Sequence, residues 1–150
     1  MKILTILTVA VLFCLTALAQ DEPANWSITQ SRSEDGSYNL IITADIHQEW
    51  YIYGMNISDG GPLPLLLSIE NQETVISSAV FSEITTPTVM YDEVFEMNVS
   101  SYMHQARFKC NYVPKSAIMS VSLIIDGQAC NKVNGTCIQV YQNITVNIQQ

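Results

Sequence analysis

Apolar and polar residues alternate along most of this chain with a period of two. Tyr38, Leu40, Ile42, Ala44 and Ile46 fall on one face of an extended segment, with Asn39, Thr43, Asp45 and His47 on the other. Phe108, Cys110 and Tyr112 alternate with Arg107, Lys109 and Asn111. Ala117, Met119, Val121, Leu123 and Ile125 make a further apolar face, and Ile144, Val146 and Ile148 another. Successive side chains of a strand point to opposite faces, so this is the pattern of strands with one face toward a core and one toward water. No amphipathic helical stretch interrupts it. Turn signals divide the runs at Asp35-Gly36, Asp59-Gly60-Gly61-Pro62, Asp126-Gly127 and Asn134-Gly135, where positive φ is cheap. The spacing predicts about seven to nine strands in an all-β, immunoglobulin-like antiparallel β-sandwich. No repeat, linker or low-complexity tract suggests a second domain.

The first residues have another purpose. Lys2 supplies a positive start, residues 3–18 are almost wholly apolar, and Ala17-Leu18-Ala19 is a small-x-small cleavage signal. Residues 1–19 are expected to be a signal peptide, and residues 20–150 one exported domain, soluble after cleavage. No later stretch is long and apolar enough for a membrane helix. The whole chain carries a formal charge of −8, and loss of Lys2 makes the remainder one unit more acidic. That charge argues against nucleic acid and anionic membranes as partners.

Cys14 leaves with the signal, so Cys110, Cys130 and Cys137 remain in an oxidising compartment. Cys110 alternates with Phe108 and Tyr112 and reads as a core residue. Cys130 and Cys137 bracket a segment containing Asn134-Gly135, between two runs that read as strands, so they are close enough to be bridged. The ring would span eight residues, Cys130 to Cys137, and so small a loop gains only about 2.5 kcal/mol of chain entropy. The residues alone leave a structural disulfide and a redox pair both open. A zinc site fits poorly, because the spacing is wrong and His47 and His104 lack a second ligand nearby. No cofactor or metal is expected.

Three further features bear on chemistry. Trp50-Tyr51-Ile52-Tyr53 reads first as strand packing and second as an aromatic wall around a site. Tyr91-Asp92-Glu93-Val94-Phe95 sets two adjacent carboxylates and an exposed-looking Phe95 in a loop, either solvated charge or an acid/base pair. Sequons at Asn25, Asn56, Asn98, Asn134 and Asn143 would matter in a eukaryotic secretory pathway.

Taken in order, Trp50-Tyr51-Ile52-Tyr53, Asn56-Ile57, Gly60-Gly61-Pro62-Leu63-Pro64, Tyr91-Asp92-Glu93-Val94-Phe95 and the late cysteine pair resemble the N-terminal periplasmic domain of the thiol:disulfide interchange protein DsbD family, in a standalone Bacteroidetes-type version. The likeness runs over about residues 26 to 148. It implies a redox-active pair at Cys130 and Cys137, with Cys137 forming the mixed disulfides. It implies that Phe95, beside Asp92 and Glu93, belongs to a cap loop shielding the pair, and that Tyr51 and Tyr53 line the site. Glu96 stands where a glycine is frequent in that family. The implied activity is periplasmic thiol–disulfide exchange between thioredoxin-like partners, with a separate membrane electron donor. The alternative is a non-catalytic interaction module in which the same pair is a structural disulfide.

Overall fold

The computed structural model describes residues 22–72, 76–115 and 120–148. The expected signal peptide and Ala117 and Met119 of the third apolar run lie outside the described residues. Among the described residues ten strands follow one another: β1 (Ala24–Arg32), β2 (Tyr38–Ile46), β3 (Trp50–Tyr53), β4 (Leu66–Ile69), β5 (Ile76–Glu83), β6 (Thr88–Asp92), β7 (Met97–Tyr102), β8 (Gln105–Pro114), β9 (Ser120–Asn131) and β10 (Cys137–Asn147). They form two antiparallel sheets, one ordered β1-β2-β8-β5 and the other β10-β9-β3-β7-β6, with β4 also paired to β9. The sandwich of the sequence reading is therefore present, with one strand more than its upper expectation.

The alternation explains the packing. Leu40, Ile42 and Ala44 of β2 and Phe108 and Cys110 of β8 are wholly buried between the sheets. Ile42, Ala44 and Phe108 meet Ile52, Leu123, Ile125 and Ala129 from the other sheet in one core cluster, and Leu40 and Cys110 meet Ile69 and Val121 in a second. Each fully buried branched side chain contributes about 1.5–3 kcal/mol relative to exposure. Cys110 is a free, buried core thiol, as its neighbours in sequence suggested.

One expected turn is absent. Asp126-Gly127 lies inside β9, which continues without a break to Asn131. Along one edge β9 pairs with β4 at Leu123–Asp126 and then with β3 at Ala129–Asn131, and Gly127 stands at the changeover. A Cβ there would meet the Leu65 Cα at 3.1 Å and the Leu65 Cδ1 at 3.3 Å. The glycine serves a close crossing of the chain, not a reversal of it. The other signals hold: Gly36, Gly60 and Gly135 all have positive φ.

Candidate functional site

Because strand faces alternate, the six-stranded sheet has an outer face as well as a core face. Ile52, Tyr102 and Ala129 point into the main core, while Tyr53, Val99 and Cys130 form a separate buried cluster. Tyr51, Ile57, Met90, Phe95 and Met97 pack around it. This second cluster is where the candidate chemistry collects.

The turn from β9 to β10 sets the cysteines. Asn131 Oδ1 accepts from the backbone N–H of Val133 at 2.8 Å and of Asn134 at 3.2 Å. The Gly135 N–H donates to the Asn131 carbonyl, and the Asn131 N–H to the Thr136 carbonyl. Gly135 takes φ 73°, the left-handed conformation that glycine adopts without a steric cost. The register that results puts Cys137 directly opposite Cys130, with Cα atoms 4.0 Å apart and the sulfurs bonded. The two sulfurs are not equivalent. Cys130 is 1% exposed, whereas Cys137 is open to solvent.

A second turn, residues 93–96 between β6 and β7, lies beside them. Its pattern repeats the first. Asp92 Oδ1 accepts from the N–H of Val94 at 2.9 Å and of Phe95 at 3.2 Å. Short acceptor side chains that bond amides two and three residues ahead nucleate such turns. Glu96 closes this one at φ 53°, the kind of position at which glycine is easiest. The turn lowers Phe95 edge-on to Tyr53, ring centres 6.4 Å apart, while Cys137 stays uncovered.

Tyr53 links the two turns. Its hydroxyl donates to Asp92 Oδ2 at 2.6 Å, and its oxygen lies 3.6 Å from Cys130 Sγ. Burial, then the bond to Asp92, pushes the Tyr53 phenol well above its ordinary range, so it stays a neutral donor. Tyr51 sits opposite Cys130 in the β3–β9 ladder, its ring edge-on to Tyr53 and its hydroxyl 3.4 Å away.

All seven residues expected at a site therefore line one cleft: Tyr51, Tyr53, Asp92, Glu93, Phe95, Cys130 and Cys137. Two details differ from the sequence reading. Asp92 is not solvated loop charge, being 5% exposed and bonded through both oxygens, whereas Glu93 is exposed. Phe95 is half-buried rather than exposed. Trp50-Tyr51-Ile52-Tyr53 fulfils both readings at once, its even positions facing the core and its odd ones the cleft. Sequence reasoning missed Asn131, Met90 and Lys132, which also line the cleft. For Asn131 the signal was available, as an Asn three residues before Asn134-Gly135 is a ready turn acceptor.

A family model described as the thiol:disulfide interchange protein DsbD, N-terminal, matches residues 17–148. No curated protein sequence matches the chain. Among solved structures, the N-terminal periplasmic domain of ScsB from Proteus mirabilis superposes with a TM-score of 0.66 at 14% identity, over 89% of this chain and 49% of that one. The present chain thus spans about half the length of that relative. The complex between the DsbD N-terminal and the PilB N-terminal domains from Neisseria meningitidis superposes with a TM-score of 0.50 at 14% identity, over 83% of this chain and 89% of that one. Both likenesses concern the fold.

Proposed function

The chain belongs to the family of DsbD N-terminal domains, and from that premise we propose that it exchanges thiols and disulfides with thioredoxin-like proteins of the periplasm through Cys130 and Cys137. The observation that carries this reading is the asymmetry of the pair: Cys137 is exposed and Cys130 is buried in the cluster with Tyr53 and Val99. The first nineteen residues would serve as the export signal, leaving residues 20–150 as the working domain. Among the described residues no helix is long and apolar enough to cross a membrane.

The steps follow from access. A partner thiolate attacks Cys137 Sγ, the sulfur it can reach, and a mixed disulfide forms there. The Cys130–Cys137 bond breaks, and Cys130 Sγ leaves with the electron pair and takes up a proton. Tyr53, held as a donor to Asp92, offers Cys130 a lone pair, so the reduced sulfur is kept as a thiol donating to the Tyr53 oxygen. The partner's second thiol then attacks its own sulfur in the mixed disulfide and releases Cys137. The partner has been oxidised and the pair reduced. The reverse sequence delivers the electrons to an acceptor disulfide, and a separate membrane protein would supply the donor side. Phe95 acts as a cover on Cys130, keeping the leaving sulfur and Tyr53 from water and small oxidants between encounters.

A purely structural bridge has less to do here. The β9–β10 ladder pairs continuously from Ser120↔Asn147 to Cys130↔Cys137, and the turn is closed by its own hydrogen bonds. The test is a trap. Cys130→Ala, with Cys137 activated as a thionitrobenzoate mixed disulfide and mixed with a reduced thioredoxin-like protein whose second active-site cysteine is replaced by serine, should accumulate an intermolecular disulfide at Cys137 as thionitrobenzoate leaves, because neither chain keeps a second thiol to resolve it. Cys137→Ala should accumulate none. Equal trapping by both variants, or by neither, would remove the reading.

A further inference from the structure

The two turns beside the disulfide share more than a hydrogen-bond pattern. In each, an Asx side chain accepts from the amides two and three residues ahead, and in each the residue two ahead is a valine. Val94 is 84% exposed and Val133 is 72% exposed, the two highest exposures among the large apolar residues described. Val94 lines the cleft with Cys137, and Val133 stands at the tip of the turn whose Lys132 and Gly135 line it from the other side. A β-branched apolar residue at the tip of a polar turn is a poor choice for a surface left in water, where turn positions favour Asn, Asp, Gly and Ser. Their Asx residues fix both backbones, so the valines are presented rather than trailing loosely.

We infer that Val94 and Val133 form a two-sided apolar grip that selects protein thiols over small ones, and that its occupant is the apolar rim around the reactive cysteine of a thioredoxin-like partner. Forming a bond to Cys137 Sγ requires the incoming sulfur to reach the cleft between the turns. A small thiol can do so without touching either tip. A folded protein that presents a cysteine there brings its surface over the exposed turns on which the two valines stand. Charge sets its orientation: the Val94 turn carries Glu93 and Glu96, and the Val133 turn carries Lys132. The favoured partner therefore places a basic group on the first lip and an acidic group on the second, around an apolar centre. This arrangement, few apolar anchors inside a polar rim, is how protein interfaces concentrate their binding energy.

The inference rests on the exchange reading above, and one experiment separates the two. The rate of reduction of the Cys130–Cys137 bond is measured with reduced thioredoxin and, in parallel, with dithiothreitol, in the wild-type protein and in the double variant Val94→Ser, Val133→Ser. Both valines are exposed, so the thermal midpoint serves as a check that the fold is intact. The expected result is a rise in KM for thioredoxin of about tenfold, the scale of losing a well-placed interface contact, with the limiting rate and the dithiothreitol rate within about twofold of wild type. If thioredoxin keeps its wild-type KM on the double variant, the grip is wrong and the exchange reading stands. A parallel fall with both reductants also overturns the grip, since it would mark a general disturbance of the cleft. If the wild-type pair itself reacts with thioredoxin no faster than with dithiothreitol, the exchange reading fails and the grip with it.

Discussion

Tyr53 and Asp92 meet by a 2.6 Å hydrogen bond, and through it strand β3 is joined to the start of the turn that carries Phe95. Asp92 uses its other oxygen to hold the Val94 and Phe95 amides. One carboxylate thus bonds the aromatic beside Cys130, Tyr53, and fixes the turn whose Phe95 packs edge-on against that ring. Asp92→Ala should cost about 2–3 kcal/mol, since it strands a buried hydroxyl and two turn amides. It should also speed oxidation of the reduced pair by hydrogen peroxide several-fold, since the turn that holds Phe95 loses its support. Asp92→Asn keeps a carbonyl for the turn and should cost about 1 kcal/mol. Urea unfolding and stopped-flow oxidation measure the two effects; a stable Asp92→Ala protein with wild-type kinetics would show that the carboxylate holds nothing.

Phe95 gives a sharper test of the cover, because it makes no hydrogen bond with its side chain. Truncating a half-buried ring costs about 1–2 kcal/mol. Phe95→Ala should therefore remain folded, yet its reduced pair should be oxidised several-fold faster by hydrogen peroxide than the wild type's. An unchanged rate would mean that Phe95 packs without shielding.

Gly127 was read as half of a turn and proved to be a crossing point. Gly127→Ala should destabilise the domain by about 1–3 kcal/mol, because the added methyl must displace the Leu65 backbone rather than a flexible side chain. Thermal unfolding reports it directly. A neutral substitution would imply that the Pro64–Leu65 segment yields easily.

Alkaline pH should unfold the protein cooperatively. Burial pushes the Cys110 thiol up to about 12 from 9.0. Burial, with Tyr38 and Cys110 alongside, pushes Tyr112 up to about 12 from 10.0. Tyr53 and Tyr102 are also raised, each by burial first and then by a bond to a carboxylate, Asp92 and Glu83 respectively. In every case the native state holds its proton where the unfolded chain releases it, so the native state binds more protons and stability falls as pH rises. Stability should be insensitive to these groups below about pH 9 and decline steeply between about pH 9 and 12. Cys110→Ala should move the onset upward. A flat profile to pH 11 would show that these groups titrate as they do in the unfolded chain.

Much of this was legible beforehand. Period-two runs at Tyr38–Ile46 and Phe108–Tyr112 located core faces, because a strand offers only two directions to a side chain. The seven site residues were named because their order along the chain resembles a family, and the fold brings them together. What the pattern hid was the outer-face cluster. Tyr53, Val99 and Cys130 are buried on the side where alternation predicts water, since Tyr51, Ile57, Met90, Phe95 and Met97 pack around them there. Only tertiary contact reveals such a cover. Asp126-Gly127 misled for a related reason: a glycine needed for close approach looks the same in sequence as one needed for positive φ. Asn131 and Asp92 carry matching structural duties that become visible only once both turns are seen to use the same two amides.

The proposed exchange requires Cys130–Cys137 to be poised for it, and the reduction potential of the pair measures that most directly. Equilibration of the purified domain against defined ratios of reduced and oxidised glutathione or dithiothreitol, read by alkylation of Cys137, gives the value. A carrier between thioredoxin-like proteins should lie between about −180 and −270 mV, where exchange with such proteins runs both ways. A potential below about −300 mV would make the pair a structural staple and would contradict the function proposed.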